Sequence, residues 1–201
     1  MIVIGLTGST GSGKGCVCHA FLKYNINSID TDQTSRSVCD IGKPCLNELT
    51  EAFGDQILNS DRSLNRKALA NIAFSDTEKH LTLNKITHKH ILNEVRNWLE
   101  IEKSNGKKAA IVDAPLLYES GFDKDCDIII AVIADKDIRI KRIINRDNIT
   151  LDEANLRISK QHDDFFYTKN ADYVIVNNEK LDEVNIQVEK IYTSLFRKAS
   201  K

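Results

Sequence analysis

Residues 1 to 17 read MIVIGLTGSTGSGKGCV. The apolar run Ile2-Val3-Ile4 predicts a buried strand, the glycine-rich stretch after it a turn, and the residues from about Gly13 the first turn of a helix. Within this stretch Gly8-Ser9-Thr10-Gly11-Ser12-Gly13-Lys14 fits G-x-x-x-x-G-K, the pattern of a phosphate-binding loop. Glycines lacking a Cβ reach positive φ and let successive N–H groups turn inward on phosphate oxygens. The helix adds the positive end of its dipole, and Lys14 a mobile ammonium. The expected ligand is a nucleoside triphosphate, ATP, held by Gly8, Ser9, Thr10, Gly11, Ser12, Gly13 and Lys14 with Gly15 and Cys16 behind them. One position departs from the pattern. Ser or Thr normally follows the lysine and ligates Mg²⁺, whereas Gly15 has no side chain to do so.

At 201 residues the chain can bury one sizeable core with smaller inserted modules. Its 28 basic and 29 acidic residues give a net charge of -1, which argues against a general nucleic-acid binder and for a small anionic ligand. Neither a leader pattern nor a run of membrane-spanning length is visible, so a cytoplasmic protein is expected. The five cysteines, Cys16, Cys18, Cys39, Cys45 and Cys126, lack paired C-x-x-C spacing and read as reduced thiols.

Val17, Ala20, Phe21 and Tyr24 are spaced for the apolar face of the first helix, and Ile26 to Ile29 read as a second strand. That strand delivers Asp30-Thr31-Asp32 to a strand end, where ligands collect in open parallel sheets; the same residues suit a helix N-cap, and spacing alone leaves both readings open. From Gln33 to Glu102 the pattern is mainly helical, with breaks at Gly42-Lys43-Pro44, Gly54-Asp55 and Ser60-Asp61-Arg62. Its longest helix is expected after Asp76-Thr77-Glu78, burying Leu81, Leu83, Ile86, Ile91, Leu92, Val95, Trp98 and Leu99. Arg66, Lys67, His88, Lys89 and His90 make this module basic, although both histidines also fit a plain surface position.

Ala109 to Asp113 is an apolar strand ending in a carboxylate, as in a Walker B element, and is the obvious source of a metal ligand; Glu119, beyond Pro115, faces either the site or solvent. Ile128 to Ile133 lacks polar alternation and should be buried on both faces. A helix from about Lys136 to Arg146 presents Arg139, Arg142 and Arg146. A second helix, boxed by Thr150 and Glu153, carries Arg157 and Gln161 four apart on one face. This pair reads as a lid that clamps phosphates, or as surface ion pairs with Asp147, Asp152 and Glu153. Ala171 to Asn178 forms a fifth strand and turn, a last helix buries Val184, Val188, Ile191, Tyr192 and Leu195, and the tail from Arg197 to Lys201 should fray.

Together these residues resemble the dephospho-CoA kinase family over nearly the full chain. The resemblance rests on GLTGSTGSGK, on Ile29-Asp30-Thr31-Asp32 against I-D-A-D, on Leu64 to Leu69 against L-x-R-x-A-L, and on Asp113 to Glu119 against D-x-P-L-L-F-E. Arg142, Arg146-Asp147, Arg157-Ile158-x-x-Gln161 and Ala171 to Asn178 follow in order. It implies an α/β fold of the P-loop NTPase type, three layers about a parallel five-stranded sheet. The nucleotide-binding core would span about 1-32, 109-135 and 171-201, an inserted helical acceptor module about 33-108, and a helical lid about 136-165.

The implied reaction moves the γ-phosphate of ATP, with Mg²⁺, to the ribose 3′-hydroxyl of dephospho-CoA. Asp32 would orient and deprotonate that hydroxyl; Lys14, Arg142 and Arg146 would stabilise the migrating group. Asp32, Arg66, His88, Leu117, Glu119 and Arg157 would form the acceptor side, and Asp113 would hold Mg²⁺. A monomer or weak homo-oligomer is expected.

Three departures stand out: Gly15-Cys16 replaces Ser-Thr, Thr87-His88-Lys89 replaces L-H-P, and Val176 replaces Asp. The first admits an alternative, a nucleotide-binding homologue impaired in transfer. The loop and lid alone also admit another small-molecule kinase.

Overall fold

The computed structural model describes residues 1–178 and 181–196; the tail from Arg197 onward lies outside the described residues. The chain divides into two compact units, one formed by Met1–Ile29 with the chain from Glu102 onward, the other by Asp30–Ile101.

The first unit is built on a five-stranded sheet of β1 (Ile2–Thr7), β2 (Asn27–Asp30), β3 (Ala109–Asp113), β4 (Ile128–Ile133) and β5 (Tyr173–Val176), in the order β2-β3-β1-β4-β5. β1 runs parallel to both β3 and β4, and β5 runs parallel to β4. Central parallel strands have helices on both faces, which is why β4 carries apolar side chains without alternation: Ile130, Ala131 and Val132 are fully buried. β5 is the edge. Its exposed Val176 is covered along the backbone by Gln187, whose side-chain amide accepts from the Val176 N–H and donates to its carbonyl.

On one face of the sheet α1 (Lys14–Leu22) and α9 (Leu181–Phe196) pack together. Val17, Ala20 and Phe21 meet Ile4, Leu6, Ile111, Ile130, Val132, Val184, Val188 and Ile191 in one core. Each large apolar side chain buried there contributes about 1.5–3 kcal/mol relative to exposure. Tyr24 belongs to the turn after α1 rather than to its face, and stacks on Tyr192 at 4.1 Å.

Between β4 and β5 the chain forms α6 (Lys136–Asp147), α7 (Leu151–Ser159) and α8 (Asp164–Thr168). α6 stops at Asn148, which takes a left-handed conformation (φ 51°), and α7 starts at a complete capping box between Thr150 and Glu153. Ile140, Ile143 and Ala154 pack the resulting hairpin. α7 ends at Ser159, so Gln161 falls beyond it and does not share a helical face with Arg157 as the spacing suggested.

The second unit contains α2 (Thr31–Ser37), α3 (Pro44–Phe53), α4 (Arg66–Ala73) and most of α5 (Thr77–Ser104). Val38, Cys39, Cys45, Leu49, Phe53, Ile57, Leu69 and Ala73 form its core, with Leu83, Ile86 and Ile91 packed against them. Leu81, expected in that core, is 62% exposed, because it precedes the stretch of α5 on which the others pack. Lys89, unlike a proline, has an N–H to donate, and α5 runs unbroken through it.

Candidate active site

Leu6 of β1 is in register with Asp113 of β3, so the phosphate loop leaves its strand beside that carboxylate. Gly8 has φ 138°, and a Cβ there would overlap the carbonyl oxygen of Val132. Gly13 has φ 92°, and a Cβ would strike the Asn177 amide. These two positions accept only glycine. Gly15 differs: a Cβ on it would meet nothing within 4 Å.

The loop is held from outside by its carbonyls. Lys14 Nζ donates to Gly8 O at 3.2 Å, Arg139 Nε to Thr10 O at 3.1 Å, and Arg142 Nη1 to Gly11 O at 3.3 Å. Ser12 O accepts from Asn177 Nδ2 at 2.8 Å and from Arg142 Nη1 at 3.4 Å. A trans peptide carries its C=O and N–H on opposite sides. Fixing the Thr10 and Ser12 carbonyls outward therefore turns the Gly11 and Gly13 amides inward. Ser9, Ser12 and Thr7 are fully buried, and their hydroxyls make no hydrogen bond within the described residues. Such orphaned hydroxyls are costly unless a polyanion or its waters meet them.

Asn177 was not among the candidate site residues, and Arg139 was named only with the group of arginines expected to clamp phosphates. Asn177 is 4% exposed and binds both the loop and Arg142, its Oδ1 accepting from Nη2 at 3.3 Å. Arg139, 6% exposed, also lies 3.5 Å from Asp164. The sequence signals were an asparagine after an apolar strand and the innermost arginine of α6. Replacing Asn177 by alanine takes the 2.8 Å donor from Ser12 O and leaves the longer Arg142 contact. The expected cost is about 1–3 kcal/mol, read as a lower melting temperature.

Asp113 ends β3 with its side chain 14% exposed and 4.0 Å from Lys14 Nζ. The chain turns rather than entering a helix after it, so Asp113 does not serve as a helix N-cap. Leu117 requires a correction. It is fully buried, and its methyls fill the space beside the bare Cα of Gly5, so it is a core residue and offers no side chain to an acceptor. Glu119 pairs with His162 at 3.5 Å, and His162 stacks on Phe166 at 3.7 Å.

The arginines of α6 and α7 divide. Arg142 grips the loop's carbonyls. Arg146 makes a two-pronged contact to Asp147 at 2.7 and 2.9 Å, and Arg157 pairs with the same carboxylate. These two guanidinium groups hold the Asp147 carboxyl down at about 2, so it is ionised at neutral pH. Surface ion pairing with Asp147 is thus what Arg146 and Arg157 do in this structure. Gln161 Oε1 accepts from the Thr10 N–H at 2.9 Å, tying the segment after α7 to the loop.

In the second unit the Asp30 side chain accepts from the Asp32 and Gln33 N–H groups, at 2.8 and 3.1 Å. Asp30 is therefore the N-cap of α2, and Asp32 stands exposed in its first turn. The capping duty goes to one aspartate and leaves the other's carboxylate outside the cap. Arg66 Nη2 donates to Arg36 O at 3.0 Å and borders a cleft of about 470 Å³ lined by Cys39, Asp40, Ile41, Ser63, Leu64 and Arg66. Burial lowers the pKa of His88, which favours its neutral form. His90 approaches Glu48 at 3.1 Å, a partner its sequence neighbours did not reveal.

A strand, a glycine loop braced by its carbonyls and a helix, centred in a parallel sheet of this order, define a P-loop kinase. The family model for dephospho-CoA kinase matches residues 2–183, and a Corynebacterium efficiens protein named dephospho-CoA kinase is 36% identical over 195 residues, covering 97% of this chain and 98% of its own. The chain belongs to the dephospho-CoA kinase family. A solved Thermus thermophilus structure superposes with a TM-score of 0.82 at 26% identity, covering 97% of each chain. The fold is shared by a Campylobacter jejuni dephospho-CoA kinase, with a TM-score of 0.71 at 24% identity over 98% of each chain. No helix among the described residues is long and apolar enough to cross a membrane.

Proposed function

We propose that this protein transfers the γ-phosphate of ATP to the ribose 3′-hydroxyl of dephospho-CoA, giving CoA and ADP. The observation that carries this reading is the braced phosphate loop in a chain matched by the family model from residue 2 to 183. Lys14 leaves Gly8 O for the outer phosphates, while the inward amides and the dipole of α1 hold the rest. Arg142 keeps the loop rigid, so its contribution to transfer is preorganisation. Arg146 and Arg157 reach phosphate by exchanging Asp147 for it, one anion for another.

On the acceptor side Asp32 orients the 3′-hydroxyl and takes its proton late in transfer, because a carboxylate is a far weaker base than an alkoxide. Arg66 offers its guanidinium to the acceptor's phosphates, and neutral His88 acts as a hydrogen-bonding group rather than a cation.

Mg²⁺, when bound, neutralises charge on the β- and γ-phosphates. Asp113, at the mouth of the loop, and the unpartnered Ser9, Ser12 and Thr7 hydroxyls suit a metal held largely through water and phosphate oxygens. Gly15 contributes no ligand, and the open space around it admits a hydroxymethyl group. Gly15→Ser therefore lowers the Mg²⁺ concentration for half-maximal rate; an unchanged requirement removes Gly15 from the account.

The acceptor assignment is tested by ADP release with dephospho-CoA, adenosine and nucleoside monophosphates offered separately. Dephospho-CoA should give the highest kcat/KM. A preference for another acceptor makes this a different small-molecule kinase, and ATP binding without ADP from any of them makes it an impaired homologue.

A further inference from the structure

Cys39 and Cys45 lie in the core of the second unit with their sulfurs 3.6 Å apart, both almost fully buried. They flank the turn between α2 and α3, and Cys45 occupies the first turn of α3. Cys39 also lines the cleft that Arg66 borders, so the cleft is the side from which a small reagent would approach this 4% exposed residue. The Cys39 N–H donates to Arg36 O at 3.3 Å, the same carbonyl that receives Arg66 Nη2 at 3.0 Å. Cys39 and Arg66 thus share one backbone acceptor.

We propose that Cys39 and Cys45 form a reversible disulfide, made by exchange with a small organic disulfide, which displaces Arg66 and weakens the acceptor site. The last clause rests on the acceptor role assigned to Arg66 above.

The chemistry favours Cys39 as the first nucleophile. The hydrogen bond with Cys45 lowers the Cys39 pKa against the opposing effect of burial, and the Arg66 guanidinium adds a smaller push in the same direction. Donation to Cys39 and burial hold the Cys45 thiol well above its usual range. The Cys39 thiolate attacks one sulfur of the external disulfide, forming a mixed disulfide and expelling one thiol. Cys39 then carries no charge and no longer holds the Cys45 proton, so its hold on Cys45 ionisation is removed while burial remains. Cys45 loses its proton, attacks Cys39 Sγ and expels the second thiol. Two electrons pass from the two cysteines to the external disulfide, which leaves as two thiols. Bonding draws the sulfurs from 3.6 Å to about 2.05 Å, and the wall that Cys39 gives the cleft moves with it.

The experiment exposes the reduced full-length protein to oxidised glutathione, alkylates the remaining thiols and maps the cross-link by peptide mass. Dephospho-CoA and ATP affinities are measured on reduced and oxidised samples. The expected results are a Cys39–Cys45 link, a several-fold loss of dephospho-CoA affinity with ATP affinity unchanged, and recovery with dithiothreitol. Cys45→Ala should stop at a glutathione adduct on Cys39. Both thiols remaining open to alkylation only after unfolding, with no link formed, overturns the proposal, as does a link that leaves dephospho-CoA affinity unchanged. The mapping decides the disulfide whether or not the reduced protein binds dephospho-CoA, so the two readings fail separately.

Discussion

Asp32→Asn lowers kcat by about 10²- to 10⁴-fold with dephospho-CoA, the range associated with loss of a positioned general base. The substitution keeps the size of the side chain and removes its negative charge together with its ability to accept the proton. Asp30 supplies the cap on α2 through its own carboxylate, so the cap survives in the variant, and the loss of the Asp32 charge from the first turn of α2 should cost about 0.3–1 kcal/mol of stability. ATP affinity should be unchanged, because the loop that binds ATP is closed by other residues. Steady-state kinetics with a melting curve separate these effects. A kcat within a few-fold of wild type would take Asp32 out of the mechanism.

Lys14→Ala produces the second large loss, about 10²- to 10³-fold in kcat/KM for ATP, as expected for removal of one preorganised electrostatic donor at developing charge. Part of this is felt before substrate arrives. Lys14 Nζ bonds Gly8 O at 3.2 Å and lies 4.0 Å from Asp113, so the variant also takes a cation from a largely buried carboxylate. Arginine should not rescue it, since a planar guanidinium cannot replace a compact ammonium among phosphates. The check is kcat/KM for ATP at saturating dephospho-CoA in Lys14→Ala and Lys14→Arg. Activity near wild type in either would mean that the loop amides suffice alone.

The strand, loop and helix from Ile2 to Leu22 were legible because their signals are local: an apolar run, glycines at fixed offsets and a lysine. The capping box of Thr150 and Glu153 and the carboxylate at the end of β3 were legible for the same reason. What the sequence hid was long-range. Asn177 grips Ser12 across 165 positions and Arg139 reaches Thr10 across 129, and no periodicity links such partners. Leu117 reads like its neighbours in an ordered motif, yet only the bare Cα of Gly5 explains its burial. The choice between Asp30 and Asp32 as cap was open by residue type and was decided by backbone geometry at the end of β2. Arg146 and Arg157 look like phosphate ligands in sequence because what they bind here, the Asp147 carboxylate, offers the same kind of oxygen.

The most direct measurement is the structure of the product formed from ATP and dephospho-CoA, by mass and by phosphorus NMR. The account predicts CoA, with one new phosphomonoester on the ribose 3′ oxygen and one ADP for each molecule formed. ATP bound with dephospho-CoA recovered unaltered, or phosphate delivered to water or to another position, would contradict it.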